Sequence, residues 1–81
     1  MKYFIYVLKS QVDGRLYKGL TNNIERRIYE HNNGNNKSTR SYRPWKLVHK
    51  ESFDSRAEAR EREKYLKSGI GREFLKKTLD P

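Results

Sequence analysis

The sequence predicts an α+β fold in which a three-stranded antiparallel sheet is flanked by helices, in the order β-β-α-β-α-α. Three observations lead to this prediction. Residues 3–8 are apolar at every position, which is typical of a strand that is covered on both faces and central in its sheet. The dipeptide Asp13-Gly14 is a strong hairpin signal. Farther along, Ser55 and Glu58 have the spacing of a capping box, which marks the start of a helix.

The predicted hairpin brings two tyrosines to one face of the sheet. If its tip consists of the Asp-Gly pair alone, Ser10 pairs with Tyr17, and Tyr17 then faces the same side as Tyr6. A longer loop with an even number of residues preserves this relation, whereas a shift of one residue abolishes it. Gly19 follows in the second strand, where the missing side chain allows the backbone to bend or another group to approach closely.

A first helix is predicted from about Asn23 to the Asn-Asn-Gly sequence at 32–34, which is a typical helix end. Asn22 and Glu25 have the spacing of a capping box in which Asn replaces the usual Ser or Thr. This pair predicts that the helix begins directly after the second strand.

One face of this helix combines apolar and chemically active side chains. Ile24, Ile28 and His31 recur at helical spacing on that face. Arg27 lies four residues before His31, so the two side chains project from the same side of the helix. We therefore expect a strand tyrosine and the Arg27–His31 pair to converge on one site.

The segment after this helix is strongly basic. Residues 32–44 are rich in Asn, Ser and Arg and should form an exposed loop. Residues 31–50 contain no acidic residue, and their basic side chains are Lys37, Arg40, Arg43, Lys46 and Lys50. One interpretation is a solvated loop whose charge is incidental. The single sign of the charge, beside a capped helix, favours contacts with phosphate groups.

The second half of the chain predicts one strand and two helices. Residues 45–50 form the third strand, which begins after a proline and ends at residues 53–55. The second helix should run from Ser55 to about Ser68, with Gly69 as its C-terminal cap. A short final helix is expected over residues 72–78.

The second helix contains an acidic residue on its apolar face. The positions that should form this face are Ala59, then 62 or 63, then Leu66 and Ile70. Glu63 therefore falls in the middle of the face, where a carboxylate is costly unless it is paired or bound to a metal. The alternative is a side chain at the edge of the face that reaches solvent or pairs with Arg60 or Lys67.

Length and charge restrict the class of protein. The 81 residues predict one small domain over residues 1–81, with few aliphatic residues and 12% aromatic residues to fill its core. The net charge of +9 and the pI near 10.0 suggest a polyanionic partner, either nucleic acid or an acidic membrane surface. A basic domain without such a partner is the alternative.

The chain contains no cysteine, which excludes disulfides, thiol chemistry and cysteine-bound zinc. The absence of disulfides in so small a domain fits the reducing cytoplasm. The longest apolar run, residues 3–8, is too short for a signal-peptide core or a membrane span. We therefore expect a cytoplasmic location without membrane insertion.

Two strand tyrosines, an Arg–His pair and a helical glutamate form a set that suits phosphodiester cleavage. The reaction needs a base for the attacking water and a cation for the charge that develops on the phosphate. A carboxylate can hold one Mg²⁺, which polarises the phosphate. Tyrosine has a pKa near 10 and is a poor base at neutral pH, so it would need help from a cation, metal-bound water or His31.

Several short motifs occur in a specific order between residues 3 and 75. They are Phe4-Ile5-Tyr6, Tyr17-Lys18-Gly19, Asn23-Ile24-Glu25-Arg26-Arg27, Thr39-Arg40, Arg43-Pro44, Arg62-Glu63-Lys64, Leu66-Lys67 and Ser68-Gly69. In order and spacing, they resemble the GIY-YIG nuclease superfamily. More narrowly, the chain resembles small stand-alone bacterial members related to the N-terminal domain of the excision-repair nuclease. The fold of this superfamily, a three-stranded antiparallel sheet flanked by helices, is the one predicted above.

The resemblance implies a role for each of five residues. Tyr6 matches the tyrosine that acts as base or as proton relay to the attacking water. Tyr17 matches the tyrosine that shapes the site and touches phosphate or metal-bound water, and Gly19 matches the glycine that allows close approach. Arg27 matches the arginine that clamps the phosphate, and Glu63 matches the single metal ligand, for Mg²⁺ or Mn²⁺.

Three further positions need separate mention. In some members a histidine assists the tyrosine one turn after the arginine, and His31 stands there. Phe4 replaces the first glycine of the name motif and Lys18 replaces the isoleucine of the second, and neither position carries the chemistry.

The side chains expected to bind nucleic acid are Lys18, Lys37, Arg40, Arg43 and Lys46.

The leading functional hypothesis is a Mg²⁺-dependent endonuclease that hydrolyses DNA in repair or processing. The expected substrates include structured or branched DNA. The sequence decides neither whether RNA is also a substrate nor which oligomeric state the protein adopts. The second hypothesis is a nucleic-acid-binding module that keeps the fold without turnover. The third is a protein-interaction module whose basic face meets an acidic partner.

Overall fold

A computed structural model describes residues 1–79 and shows the predicted α+β architecture. Its elements are β1 (Tyr3–Ser10), β2 (Leu16–Thr21), α1 (Ile24–Asn32), β3 (Trp45–Phe53), α2 (Arg56–Lys67) and α3 (Gly69–Leu79). A short 3-10 helix, Arg40–Tyr42, lies between α1 and β3. In the part of the chain from residue 1 to residue 79, no helix is both long and apolar enough to cross a membrane.

The sheet has the strand order β2-β1-β3, and both neighbouring pairs are antiparallel. The central position of β1 confirms the prediction from its apolar sequence. Its odd-numbered residues Ile5 and Val7 are fully buried on one face, and Tyr6 and Leu8 are buried on the other. A strand buried on both faces needs apolar residues at successive positions, because each face meets its own layer of helices or loops.

The two faces of the sheet carry separate cores. On one face, Ile5 and Val7 pack with Ala59 and Leu66 of α2 and with Leu75 of α3. On the other face, the buried cluster of Tyr6, Leu8 and Trp45 packs against α1, at residues 24 and 28. Fully burying an apolar side chain of this size contributes about 1.5–3 kcal/mol. Each layer is therefore held by only a few large contributions.

The hairpin between β1 and β2 is longer than predicted. Leu8 pairs with Tyr17, and the Ser10 amide donates to the Arg15 carbonyl at 2.9 Å, which leaves a loop of residues 11–14. The predicted pairing of Ser10 with Tyr17 is therefore wrong. The loop keeps an even number of residues, so Tyr6 and Tyr17 still share a face, and their ring centroids are 6.2 Å apart.

Polar side chains explain the longer hairpin loop. The Ser10 hydroxyl oxygen accepts a hydrogen bond from the Val12 amide at 3.0 Å, and the Asp13 carboxylate accepts one from the Arg15 amide at 3.1 Å. Gly14 adopts a φ of +80°, which is accessible to glycine at no steric cost. These local bonds satisfy the backbone of a wider turn and replace the last pair of the strand ladder.

The start of α1 is capped by Asn23, one residue later than the predicted capping pair. The Asn23 side chain accepts a hydrogen bond from the Arg26 amide at 3.1 Å, so the predicted pairing of Asn22 with Glu25 is wrong. The cause lies in β2, where the Thr21 hydroxyl oxygen accepts from the Asn23 amide at 3.0 Å. This bond fixes Asn23 in extended backbone, which is the usual conformation of an N-cap residue.

The junction between α2 and α3 also differs from the prediction. Helix α2 starts after Ser55 as expected, but Gly69 begins α3 and is not the C-cap of α2, which is Ser68. The expected start of the last helix at Arg72 is therefore three residues too late. The Ser68 hydroxyl oxygen accepts from the Gly71 amide at 3.2 Å and so caps the new helix.

This early start of α3 changes which residues face the core. Gly71 is buried against the last turn of α2, where a Cβ atom would overlap the backbone of residues 65 and 66. Ile70 points outward and is 73% exposed, so its predicted place on the apolar face of α2 is wrong. Ala59 and Leu66 occupy that face as predicted.

Candidate functional site

The site is built around Tyr6, whose ring lies across the neighbouring strand β2. Tyr6 pairs with Gly19 in the sheet, and a Cβ atom at Gly19 would overlap the Tyr6 ring and hydroxyl. The glycine therefore lets the buried Tyr6 side chain reach over the edge strand of the sheet. Tyr17 lies on the same face, beside this ring.

His31 lies at the end of α1 and contacts both tyrosines. Its Nε2 atom is 3.2 Å from the Tyr6 hydroxyl oxygen, and its ring meets the Tyr17 ring edge-on with centroids 4.7 Å apart. The other ring nitrogen, Nδ1, is 2.8 Å from the hydroxyl oxygen of Thr39. His31 is fully buried. Burial, followed by repulsion from Arg27, lowers the pKa of His31, so the ring is neutral at neutral pH.

Arg27, one turn before His31, places its guanidinium beside the Tyr6 hydroxyl. Burial raises the pKa of Tyr6 above 10.0, and the neighbouring guanidinium opposes this rise only in part. Tyr6 is therefore a protonated phenol at neutral pH. The Arg27 side chain is 29% exposed and donates to the Glu30 carboxylate at 2.8 Å, so its position is fixed while a ligand can reach it.

An open cavity of about 450 Å³ lies beside Arg27. Its other lining residues are Glu30, Asn35, Asn36 and Lys37. Two cations, one carboxylate and two amides therefore surround a space on the solvent side of the arginine. Such a lining suits a charged ligand with hydrogen-bonding groups, as a nucleotide has.

Glu63 comes from α2, which packs on the opposite face of the sheet. Its side chain is only 19% exposed, and one carboxylate oxygen is 3.3 Å from the Lys67 ammonium. The carboxylate nevertheless lies close enough to Tyr6 for its charge to raise the pKa of that phenol. Glu63 therefore pairs with Lys67, as in the simpler interpretation, and its charge has only a minor effect on the pKa of Tyr6.

The donor set fits a hard cation such as Mg²⁺ with few protein ligands. Among residues 1–79, no three His, Cys, Asp or Glu side chains form a cluster, so Glu63 would act alone. Mg²⁺ retains several waters and is commonly bound by one or two carboxylates together with phosphate oxygens of the substrate. A single, partly buried carboxylate suits this mode of binding.

The predicted nucleic-acid-binding residues fall into two groups. Lys37, Arg40 and Arg43 lie in the exposed segment after α1, and Lys46 is exposed on β3. Lys37 lines the cavity beside Arg27 and so adjoins the site. Lys18 pairs with Val7 in the sheet and faces the α2 side, away from the tyrosine hydroxyls.

The position of Lys18 has an electrostatic consequence. Burial and the neighbouring cations of Arg72 and Lys67 lower the pKa of Lys18. The charge around Lys18 is thus a second basic region, on the other side of the edge strand from Arg27.

Thr39 is the residue of this site that sequence reasoning missed. It is buried, although the loop that carries it was expected to be exposed. A threonine in a polar loop gives no periodic signal of burial. The Thr39-Arg40 pair among the ordered motifs was the one available indication.

Comparison with known proteins gives consistent results. The family model described as the GIY-YIG catalytic domain matches residues 2–75. A UPF0213 protein of Staphylococcus saprophyticus is 43% identical over 76 residues, which cover 93% of this chain and 92% of the relative. A UPF0213 protein of Natronomonas pharaonis is 48% identical over 67 residues, which cover 82% and 78% of the two chains.

A solved structure has a similar fold. The solution NMR structure of a UPF0213 protein from Bacillus halodurans matches with a TM-score of 0.60 and 34% sequence identity, and covers 100% of this chain and 89% of the other. The family-model match associates the domain with nuclease chemistry in general, and hence with a nucleic-acid substrate. The match over residues 2–75, together with the relative that is 43% identical, shows that this chain belongs to the GIY-YIG family.

Proposed function

We propose that the protein is a divalent-metal-dependent endonuclease that hydrolyses DNA phosphodiester bonds, with Mg²⁺ or Mn²⁺ as the metal. The observation that carries the proposal is the environment of the Tyr6 hydroxyl. It lies 3.2 Å from a neutral histidine and beside an arginine, and the charge of a carboxylate from a different layer of the fold contributes to the rise in its pKa. A purely structural tyrosine needs one hydrogen-bond partner, whereas this one meets both a proton acceptor and a cation.

Arg27 is proposed to hold the scissile phosphate. Its guanidinium is planar and permanently charged, and it can donate two parallel hydrogen bonds to phosphate oxygens. The Glu30 contact at 2.8 Å keeps the side chain in place before substrate arrives. The negative charge that develops in the transition state then meets a cation that is already oriented.

Tyr6 and His31 are proposed to move the proton of the attacking water. The pKa of Tyr6 is raised by burial, so a phenolate is a minor species at neutral pH. The phenol can instead accept the proton of water at its oxygen while it gives its own proton to His31 Nε2, 3.2 Å away. Tyr6 then serves as a relay, and the neutral imidazole of His31 is the final acceptor.

Glu63 would hold the metal, as the partly buried carboxylate that α2 supplies. A bound divalent ion polarises the phosphate and stabilises the leaving oxygen. Tyr17 closes the site beside His31 and excludes water from that side of the ring, which preserves the neutral state of the imidazole.

The substrate is proposed to be DNA, structured or branched DNA included, and the location to be the cytoplasm. A role in DNA repair follows from the resemblance to the excision-repair nuclease. The exposed cations Lys37, Arg40 and Arg43 supply contacts to phosphates that flank the cleaved bond. The same cations favour the second candidate function, a module that binds nucleic acid without cleaving it.

The test is cleavage of supercoiled, branched and single-stranded DNA and of RNA, with Mg²⁺, with Mn²⁺ and with chelator. Cleavage should require a metal and should be lost in Glu63→Gln and in Tyr6→Phe. Glu61→Gln is the matched control, because Glu61 lies on the same helix with its side chain 77% exposed. Binding without cleavage under every metal would select the second function. No binding of DNA or RNA at low salt would favour a protein partner instead.

A further inference from the structure

Thr39 is buried in the loop between α1 and β3 and is fixed by contacts on several sides. Its amide donates to the Asn36 carbonyl at 3.2 Å, and its own carbonyl accepts from the Trp45 indole at 2.9 Å. The hydroxyl oxygen is 2.8 Å from His31 Nδ1 and donates its hydrogen to the Asn36 carbonyl at 3.4 Å. The Asn36 carbonyl is therefore an acceptor within reach of the Thr39 hydroxyl hydrogen.

The direction of this last hydrogen bond determines the state of the histidine ring. A hydroxyl that donates to a carbonyl has only lone pairs left for the ring nitrogen. In that arrangement His31 Nδ1 carries the hydrogen of the neutral imidazole. The lone pair is consequently on Nε2, the atom that faces the Tyr6 hydroxyl at 3.2 Å.

We propose that Thr39 is a positioning residue that selects the Nδ1–H tautomer of His31 and so keeps Nε2 available for the proton of Tyr6. The role in cleavage rests on the proposed nuclease function, whereas the selection of the tautomer does not. In the relay, one proton passes from the attacking water to the Tyr6 oxygen as another passes from Tyr6 to Nε2. The resulting imidazolium still donates from Nδ1 to Thr39, and the reverse transfer restores the ring after the products leave.

The opposite tautomer would block the same relay. With the hydrogen on Nε2, the ring would donate a hydrogen bond to the Tyr6 oxygen and could not accept the Tyr6 proton. Tyr6 would then need to lose its proton to solvent, although it is buried and its pKa is raised. Thr39 therefore acts on the reaction through His31 and does not touch the substrate.

The relay also predicts the dependence of cleavage on pH. The titratable and charged groups that face His31 are Tyr6, Tyr17, Arg27 and Glu30. Burial and Arg27 lower the pKa of the ring, and Glu30 opposes them. Cleavage should rise with pH with a midpoint below about pH 6.5, and should show no further rise toward pH 10.

The experiment compares Thr39→Val with Thr39→Ser. The tautomer of His31 is read from the ¹⁵N chemical shifts of the ring in the metal-free protein, with His49 as an internal reference. The wild type and Thr39→Ser should show Nδ1–H, and Thr39→Val should shift toward Nε2–H. With metal and DNA, Thr39→Val should cleave at least tenfold more slowly, and Thr39→Ser should restore the rate to within about threefold.

Each result decides the proposal. An Nε2–H ring in the wild type overturns it, whatever the cleavage data show. A Thr39→Val variant with the wild-type tautomer and rate also overturns it. If the tautomers behave as expected and the wild type cleaves nothing, the proposed nuclease function fails and the selection of the tautomer stands. Trp45 fluorescence reports whether Thr39→Val folds. If Thr39→Val does not fold, the proposal is decided by the tautomer of the wild-type His31 ring and by the cleavage rate and pH profile of Thr39→Ser.

Discussion

Replacing Gly19 by alanine should displace the Tyr6 ring. The displacement should lower stability moderately and lower the cleavage rate strongly. A Cβ atom at position 19 would lie 2.8 Å from Tyr6 Cε1 and closer still to Cζ and the hydroxyl. Carbon atoms prefer separations of about 3.5–4.0 Å, so the ring must move by roughly 1 Å. Such overpacking of a buried site costs about 1–3 kcal/mol of unfolding free energy.

The same displacement should affect the reaction more strongly than the fold. The Tyr6–His31 distance is 3.2 Å, and a movement of roughly 1 Å removes this hydrogen bond. Misplacement of a reacting group by about 1 Å can lower a rate by about 100-fold. For a domain of this size, a loss of 1 kcal/mol lowers the melting temperature by about 4–8 °C. Gly19→Ala should therefore remain folded at room temperature and cleave DNA about 100-fold more slowly.

The assay combines thermal unfolding with single-turnover cleavage, and Gly69→Ala is the matched control. Gly69 begins α3, and a Cβ atom there meets no other atom within 4 Å. Alanine in a helix is up to about 1 kcal/mol more favourable than glycine, so this variant should be neutral or stabilised. The reasoning is refuted if Gly19→Ala matches the wild type in both melting temperature and cleavage rate.

Three further predictions concern charge. Arg27→Lys should lower the single-turnover cleavage rate by about 10²–10³-fold, because an ammonium cannot replace the planar guanidinium at the phosphate. Lys37→Ala should reduce the slope of log binding constant against log salt concentration by about 0.9, measured by fluorescence anisotropy, if Lys37 contacts one phosphate. The free energy of unfolding should fall as pH decreases below about 6.5, because the unfolded chain takes up a proton that buried His31 resists, and His31→Gln should lack this contribution in urea titrations.

Each of these predictions has a control and an outcome that contradicts it. Full activity in Arg27→Lys would mean that the arginine acts as a simple charge. Lys64→Ala removes an equal charge from an exposed pair with Glu61 and should leave the salt slope unchanged, so an equal effect of both variants would remove Lys37 from the interface. For the pH effect, an unfolding free energy in His31→Gln with the wild-type pH dependence would show that another group titrates.

Much of the fold could be predicted because its signals are local. The first strand is apolar at successive positions, and only a central strand covered on both faces requires this pattern. Ser55 caps α2 as its sequence indicates, since a capping box needs only four consecutive residues. The hairpin was predicted correctly, but the register of its shortest form and the place of Ile70 were wrong, because competing local bonds at Ser10 and at Ser68 extended the loop and began a helix early.

The residues of the candidate site likewise divide into those that the sequence could predict and those that it could not. Tyr6 and Tyr17 could be placed on one face from strand parity alone, which tolerates an error of two residues in register. Glu63 drew attention because a carboxylate on an apolar helix face is unusual. Thr39 could not be found, since its burial depends on how a loop without periodicity folds over His31. The surroundings of Lys18 likewise could not be predicted, because they depend on where α2 packs against the sheet.

The proposed catalytic side chains are distributed along almost the whole chain, from β1 through α1 to α2. No short segment holds both Arg27 and Glu63 together with Tyr6, so a partly synthesised or partly unfolded chain carries the side chains without the arrangement. Small domains fold in a cooperative, all-or-none transition. An enzyme that cuts the genetic material of its own cell would thus be inactive until α2 docks on the sheet. Under the proposed function, the layered construction would couple the completion of folding to the onset of cleavage.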